Sequence, residues 1–334
     1  MNQKSKNITF YLGILLSLCI AIPAYFLGEH FKLIGGSVFA ILIGMLIAPL
    51  LSSKQLKSGI QFTSKKLLQL SIIFLGFGMN LHAIVTIGKQ SLLVMICTIF
   101  TSLVTAYFVG QLLKVESNTQ ILIGVGTSIC GGSAIAATAP VIEASDQDIA
   151  YSISTIFLFN ILAVFLFPSL GRTLGLSNTG FGMWAGTAIN DTSSVVAAGY
   201  TFSDAAGNYA TIVKLTRTLM IIPITLFLAL YRMKKGTSSS SKANYSFKKI
   251  FPWFVIGFLL TAIINTSGIL PSAVSTNLNS IGKFGIIIAM AAIGLNTNLK
   301  KLISNGFRPI VLGLSCWFMV SIVSLIVQRL IGII

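Results

Sequence analysis

The sequence predicts an all-α polytopic membrane protein, and three observations carry that prediction. Of 334 residues, 54% are apolar and only 9% are Asp, Glu, Lys or Arg, where an ordinary soluble domain is about 25% charged. Mean hydropathy is +0.90. Apolar stretches of about twenty residues, the length that crosses a bilayer as a helix, recur from end to end. A soluble enzyme, a disordered chain and a disulfide scaffold are excluded.

Apolar runs, read against their polar and glycine breaks, give eleven transmembrane helices, over about 9–27, 33–51, 67–81, 91–113, 119–141, 149–170, 181–199, 208–231, 250–266, 279–296 and 309–332. The third is the shortest and the seventh the least hydrophobic, so both are candidates for broken or re-entrant segments. Lys4 and Lys6 precede the first span without a small-residue cleavage site, which reads as a retained helix. With the N-terminus inside, seventeen of the 23 basic residues fall on the cytoplasmic side and three, Lys32, Lys89 and Arg329, on the external side. Cytoplasmic loops are the basic ones, so the asymmetry predicts a cytoplasmic N-terminus and an external C-terminus. The net charge of +16 is then topology and anionic-lipid contact, and nucleic acid is dropped as a partner.

The one evident linker runs over 232–249 and contains Gly236-Thr237 followed by four serines. Such composition predicts a flexible cytoplasmic connection between spans 1–8 (1–231) and spans 9–11 (250–334), within one integral membrane domain. Cys19, Cys97, Cys130 and Cys316 lie far apart inside apolar stretches; they read as buried thiols, and no metal or other cofactor is expected.

Polar groups at membrane depth mark the candidate site. Span 5 carries Gly124-Val125-Gly126-Thr127-Ser128-Ile129-Cys130-Gly131-Gly132-Ser133 in its middle. A glycine pair lets a helix stop and restart, aiming free N–H groups at a cavity; close packing of small-residue helices is the alternative. Span 7 carries Asn190-Asp191-Thr192-Ser193-Ser194, and Asp191 is the sole acid well inside a span. An ionisable group at that depth is functional by default, with a structural partner for a buried cation as the other reading. Span 8 places Lys214 and Arg217 three residues apart on one face. Arg217 is expected to pair with Asp191 or to face the cavity, where its guanidinium binds an oxyanion in bidentate fashion. Lys283 of span 10 lies about one turn inside the external interface, where snorkelling is the other reading; counted with it, three cations face one buried acid, which favours anionic cargo. Asn80, Asn160 and Asn296 are first of all helix–helix hydrogen bonders. His30 and His82 sit at helix ends and make poor proton relays.

A weak internal repeat joins 74–93 and 290–311: Gly78-Met79-Asn80 matches Gly294-Leu295-Asn296, Leu81 matches Leu299 and Gly88 matches Gly306. The copies lie an odd number of spans apart and would be inverted in the membrane, the architecture of secondary transporters that rock around a midplane site.

Three stretches in this order, Gly131–Ala137 with Pro140-Val141-Ile142, Trp184–Gly199, and Ala292-Ile293-Gly294-Leu295, resemble the sulfate exporter family of bacterial inner-membrane proteins over essentially the whole chain. Members of that family often carry His where this chain has Asn190, which moves weight to Asp191. More distantly, Gly78–Leu81 and Cys130–Ser133 look like the core of bile-acid/sodium symporters, and the chain resembles sodium/proton antiporters. The resemblance implies two broken helices crossing at the midplane, without saying which later span crosses span 5. The expectation is a secondary transporter, an exporter of sulfate, sulfite or an organosulfonate, in the bacterial plasma membrane. Thr127, Ser128, Cys130, Gly131, Gly132, Ser133, Asn190, Asp191, Thr192, Ser193, Lys214 and Arg217 would bind the substrate, and Asp191, Asn190 and Thr192 the coupling Na+ or H+. The alternative is a sodium/proton antiporter without sulfur-anion cargo. No enzyme is expected: a Lys214 base for Ser133 is conceivable, but both histidines are at helix ends. The lipid bilayer and a small anion are the expected partners, and a homodimer is compatible with the sequence.

Overall fold

Hydrocarbon leaves no partner for a free peptide group, so a chain this apolar must close its hydrogen bonds within its own segments. The computed structural model describes residues 3–31, 35–50, 56–221, 223, 224, 227, 253–297 and 306–334, and every regular element among them is helical. The expected linker at 232–249, the basic residues Lys32, Lys54, Lys300 and Lys301, and Leu299 of the proposed repeat lie outside the described residues.

The helices are α1 (Gln3–His30), α2 (Gly36–Ile47), α3 (Lys57–Phe62), α4 (Leu68–Leu75), α5 (Leu81–Leu112), α6 (Ser117–Ser128), α7 (Gly132–Thr138), α8 (Asp146–Thr173), α9 (Asn178–Ala188), α10 (Thr192–Phe202), α11 (Asp204–Thr218), α12 (Trp253–Thr266), α13 (Ser272–Asn296) and α14 (Phe307–Leu330). One π turn over Thr63–Leu67 joins α3 to α4. Five stretches are long and apolar enough to cross a membrane: Ile8–His30, Leu81–Leu112, Asp146–Thr173, Ser272–Asn296 and Phe307–Leu330. Local sequence sets their starts. Ser145 and Asp148 form a reciprocal capping box at α8, while Ser177 and Ser203 cap α9 and α11 through the N–H groups of Gly180 and Ala206.

The helices pack in two layers. In one, α1, α2, α3, α4, α12 and α13 share a core around Ile41, Ile72, Leu75, Phe258 and Met290. Small residues let the backbones close up there: a Cβ at Gly44 would come within 2.5 Å of the Ala291 carbonyl oxygen, and one at Gly294 within 2.4 Å of that of Ile41. In the other layer, α5 to α11 and α14 surround smaller cores, one of them built on Phe167, Phe181, Trp184 and Val320. This packing crosses the sequence position of the expected linker, since α12 and α13 join α1–α4 whereas α14 joins α5, α6, α8 and α9. The layers meet where α10 lies against α2 and α13 and where α12 lies against α5, and Ile84, Val164, Ile212 and Leu215 of the second layer join the core of the first.

Two of the expected spans fold back as helical hairpins: 119–141, expected to break at its glycine pair, and 181–199, a candidate for a broken or re-entrant segment. Helix α9 ends at Ala188 and α10 begins at Thr192. The mouth of that hairpin is closed by stacking of Phe181 on Phe202, with centroids 4.0 Å apart, and by donation from Ser203 Oγ to Asn178 Oδ1 at 2.7 Å. Arg172, at the C-terminal end of α8, donates to the carbonyls of Thr201 (2.7 Å) and Phe202 (3.4 Å). At the opposite end of α8, Thr119 Oγ1 near the start of α6 donates to Asp148 Oδ1 at 2.5 Å. Helix α7 then returns along α6, with Ala139, Val141 and Ile142 packed in the cluster that holds Leu122 and Ile149. The two hairpins therefore open at opposite ends of α8.

Candidate functional site

The hairpin tips, 129–131 and 189–191, come together beside the middle of α8, and α11 joins them. Helix α6 stops because Gly131 takes φ +68° and ψ −127°, a conformation open to glycine and costly for other residues. A Cβ added to Gly131 would lie 3.3 Å from Ile156 Cγ2, 3.6 Å from Asn160 Nδ2 and 3.8 Å from the Asn190 carbonyl carbon. Asn160 bridges the tips from α8, its Oδ1 accepting the Asp191 N–H at 3.1 Å, the helix–helix role expected of it.

A helix that ends inside a membrane leaves its last carbonyls without partners. Here cations fill that gap. Lys214 Nζ donates to Ile129 O at 2.7 Å and to Ile189 O at 3.0 Å, one carbonyl from each tip. Arg217 Nε and Nη2 donate to Ser128 O and Thr127 O, both at 2.7 Å. Both side chains are fully buried. Burying such an ion costs several kcal/mol; a cation at a helix C-terminus returns roughly 0.3–2 kcal/mol, and each charge-assisted hydrogen bond about 1.5–3 kcal/mol. Four such bonds to carbonyls hold the cations in place without neutralising them.

These partners narrow one expectation to its second branch, the cavity, and correct another. Arg217 does not pair with Asp191, because the carbonyls at the end of α6 lie on its face of α11 and take its donors. Lys283 does not face Asp191 either: its ammonium pairs with Asp204 at 2.7 Å, over the ring of Tyr200 at 5.3 Å. Asp191 instead caps α10, accepting from both the N–H and the hydroxyl of Ser193. The expected hydroxyl ligands also divide. Ser128 Oγ bonds back to Val125 O. Ser133 is exposed at the start of α7, beside Gly132, around which a Cβ would meet nothing within 4 Å. Thr192 and Ser193 are buried in the first turn of α10, and Cys130 is buried at the first tip.

Among the described residues, several buried polar atoms here have no hydrogen-bond partner: Thr127 Oγ1, Arg217 Nη1, and both Nδ2 and Oδ1 of Asn190. Native proteins leave few buried polar groups unpaired, and each needs a reason. Three of these four atoms can donate, so the junction of the tips is short of acceptors. With Lys214 and Arg217 against the one carboxylate of Asp191, it is also positively charged. The geometry can therefore accept a small group with several negatively charged oxygens.

Two features were not found by reading the sequence. Thr187 Oγ1 lies 2.7 Å from Ser324 Oγ, which accepts from Gln328 Nε2 at 3.1 Å, continuing the polar track from the second tip into α14. The hairpins also share a sequence pattern at a constant offset. Ser117-Asn118-Thr119 recurs as Ser177-Asn178-Thr179, and Gly126-Thr127, Ile129 and Ser133 recur as Gly186-Thr187, Ile189 and Ser193. The two isoleucines related in this way are the two whose carbonyls Lys214 holds.

Comparison with known proteins places the chain among membrane proteins. A family model described as "Conserved hypothetical protein 698" matches residues 12–313. A UPF0324 membrane protein of Fusobacterium nucleatum subsp. nucleatum is 50% identical over 342 residues, covering 96% of this chain and 98% of that protein. One from Streptococcus pyogenes serotype M18 is 52% identical over 330 residues, covering 96% of this chain and 97% of its own length. One from Streptococcus mutans serotype c is 50% identical over 333 residues, with the same coverage of 96% and 97%. These relatives and the five long apolar helices make this a multi-pass membrane protein. The chain belongs to the UPF0324 membrane protein family.

Proposed function

We propose that the protein is a secondary transporter of a small oxyanion, with sulfate, sulfite or an organosulfonate as the cargo class, and that the cargo binds at the junction of the two hairpin tips. The observation that carries this reading is the pairing of two fully buried cations with unpartnered donors at the same junction: Arg217 Nη1, Asn190 Nδ2 and Thr127 Oγ1. An arriving oxyanion gives each donor an acceptor and offsets the buried charge. A group that bound permanently would make a cofactor site; a site that must load and release needs walls that part, and unwound hairpin tips can do so at low cost. Asp191, partly exposed at the second tip, is the place for a coupling H+ or Na+, and the energy comes from that gradient: the sequence carries no phosphate-cradling loop for ATP. Export, a bacterial plasma-membrane location and an inverted-repeat architecture belong to the same proposal.

Counterflow in proteoliposomes tests it. Vesicles loaded with unlabelled anion should accumulate labelled sulfate, sulfite or taurine transiently and saturably. Asn190→Ala and Arg217→Lys should lower the initial rate at least tenfold, about the worth of one charge-assisted hydrogen bond. Normal exchange by both variants would remove the anion from this site. Flux driven by a sodium or pH gradient with no anion present would establish the antiporter reading instead, for which the partly exposed Asp191 carboxylate is the supporting observation.

A further inference from the structure

The two hairpins leave an even number of half-length helices between full-length ones, and this changes which side of the membrane several loops occupy. We infer that α6–α7 and α9–α10 are re-entrant hairpins inserted from opposite faces of the bilayer, so that neither crosses it, and each hairpin shuts the site off from its own face. The topological part stands on its own; the gating part rests on the transport reading above.

The lengths fit. Helix α6 has 12 residues and α9 has 11, about 16–18 Å at 1.5 Å per residue, close to half of a hydrocarbon core of about 30 Å. Helix α8 has 28 residues, about 42 Å, and reaches across. Its Asn160, which touches the second tip, stands near the middle of Asp146–Thr173. The hairpin mouths lie at the two ends of α8: Thr119 on Asp148 at one, Arg172 on Thr201 and Phe202 at the other. No arrangement in which α9–α10 crosses the core can bring Asn178 to 2.7 Å from Ser203. The 60-residue recurrence of the mouth and tip residues, Ser117-Asn118-Thr119 with Ser177-Asn178-Thr179 and Ile129 with Ile189, says that the two hairpins are versions of one unit placed upside down with respect to each other.

Charge agrees. Two re-entrant hairpins reverse only α8, moving Arg172 to the external side, so the basic residues divide sixteen to four in place of seventeen to three. The positive-inside rule is satisfied in either topology and does not choose between them. Backbone satisfaction does not forbid the hairpins: their tips are covered by α8 and α11, and unwound backbone at depth is tolerated where protein buries it.

Labelling of single added cysteines with a membrane-impermeant maleimide, in intact and in lysed cells, tests the topology against two reference positions. Leu112→Cys marks the end of α5 and Ser272→Cys the start of α13, which lie on opposite faces in both topologies. Gln147→Cys should label from the same side as Leu112→Cys, and Leu174→Cys from the same side as Ser272→Cys; all four residues are exposed, and the parent with its four native cysteines sets the background. The eleven-crossing topology requires the reverse at both Gln147 and Leu174, and reversal at either position overturns the inference. Asp146→Cys and Thr173→Cys are second choices should either variant fail to express. A protein inert in counterflow that still gives this pattern would lose the transport reading while keeping the hairpins.

Discussion

At Lys214 a single ammonium holds one carbonyl from each hairpin tip. Lys214→Met removes two hydrogen bonds and also the cost of a buried charge, terms of similar size. The apparent melting temperature in detergent should therefore move by only a few degrees, while counterflow falls at least tenfold; a large loss of stability with the residual protein fully active would make Lys214 merely a clamp. Gly131 is different in kind. At φ +68° a side chain is strained by roughly 1–3 kcal/mol, and its Cβ would press on Ile156, so Gly131→Ala should lower thermal stability measurably, whereas Gly132→Ala, with open space around it, should not. Sequence reading located Asp191, Lys214 and Arg217, because an ionisable residue in an apolar span stands out whatever surrounds it. It left Arg217 between Asp191 and the cavity, because a carbonyl at the end of a half-helix leaves no mark in the side-chain sequence.

The reversal of span 5 escaped, and that of span 7 stayed one of two readings, for a reason that belongs to elements. Two half-helices of 11 residues sum to the length of one span, and hydropathy cannot distinguish a chain that crosses from one that turns round. Span 5 was expected to break at Gly131-Gly132, and it does; that it also reverses was legible in the recurrence of Ser-Asn-Thr and Gly-Thr-x-Ile sixty residues on, a match stronger than the Gly78 and Gly294 pairing. Asn178→Cys with Ser203→Cys should cross-link within one molecule under mild oxidation, since the native side chains are 2.7 Å apart. A crossing α9–α10 would hold those positions about 30 Å apart and no cross-link would form. The start of α11 carries a second check. Ser203→Ala removes both the cap on Ala206 N–H and the bond to Asn178, and should destabilise by about 1–2 kcal/mol.

On the scale of the whole molecule, the layer of α1–α4, α12 and α13 and the layer that holds the site share an apolar cluster that runs on through Ile84, Val164, Val196 and Ile212, touch where α12 meets α5 and around α10, and carry, among the described residues, one ion pair between them, Lys283 with Asp204. Both partners are substantially exposed, so a double-mutant cycle of Lys283→Ala and Asp204→Ala should give a coupling of no more than about 1 kcal/mol; a larger value would make the pair a true latch between the layers. Composition alone announced the membrane protein, whereas the division into layers depends on glycine contacts such as Gly44 with Gly294 that only the folded chain reveals. The claim on which all of this turns is that the junction of the tips takes an oxyanion. Thermal unfolding in detergent against sulfate, sulfite, thiosulfate, taurine and carboxylates, with and without sodium, measures it most directly. Melting temperature should rise dose-dependently with at least one sulfur oxyanion, and the rise should be lost in Asn190→Ala; no anion raising the melting temperature of the wild-type protein, or an equal rise in both proteins, would rule out an oxyanion at the junction.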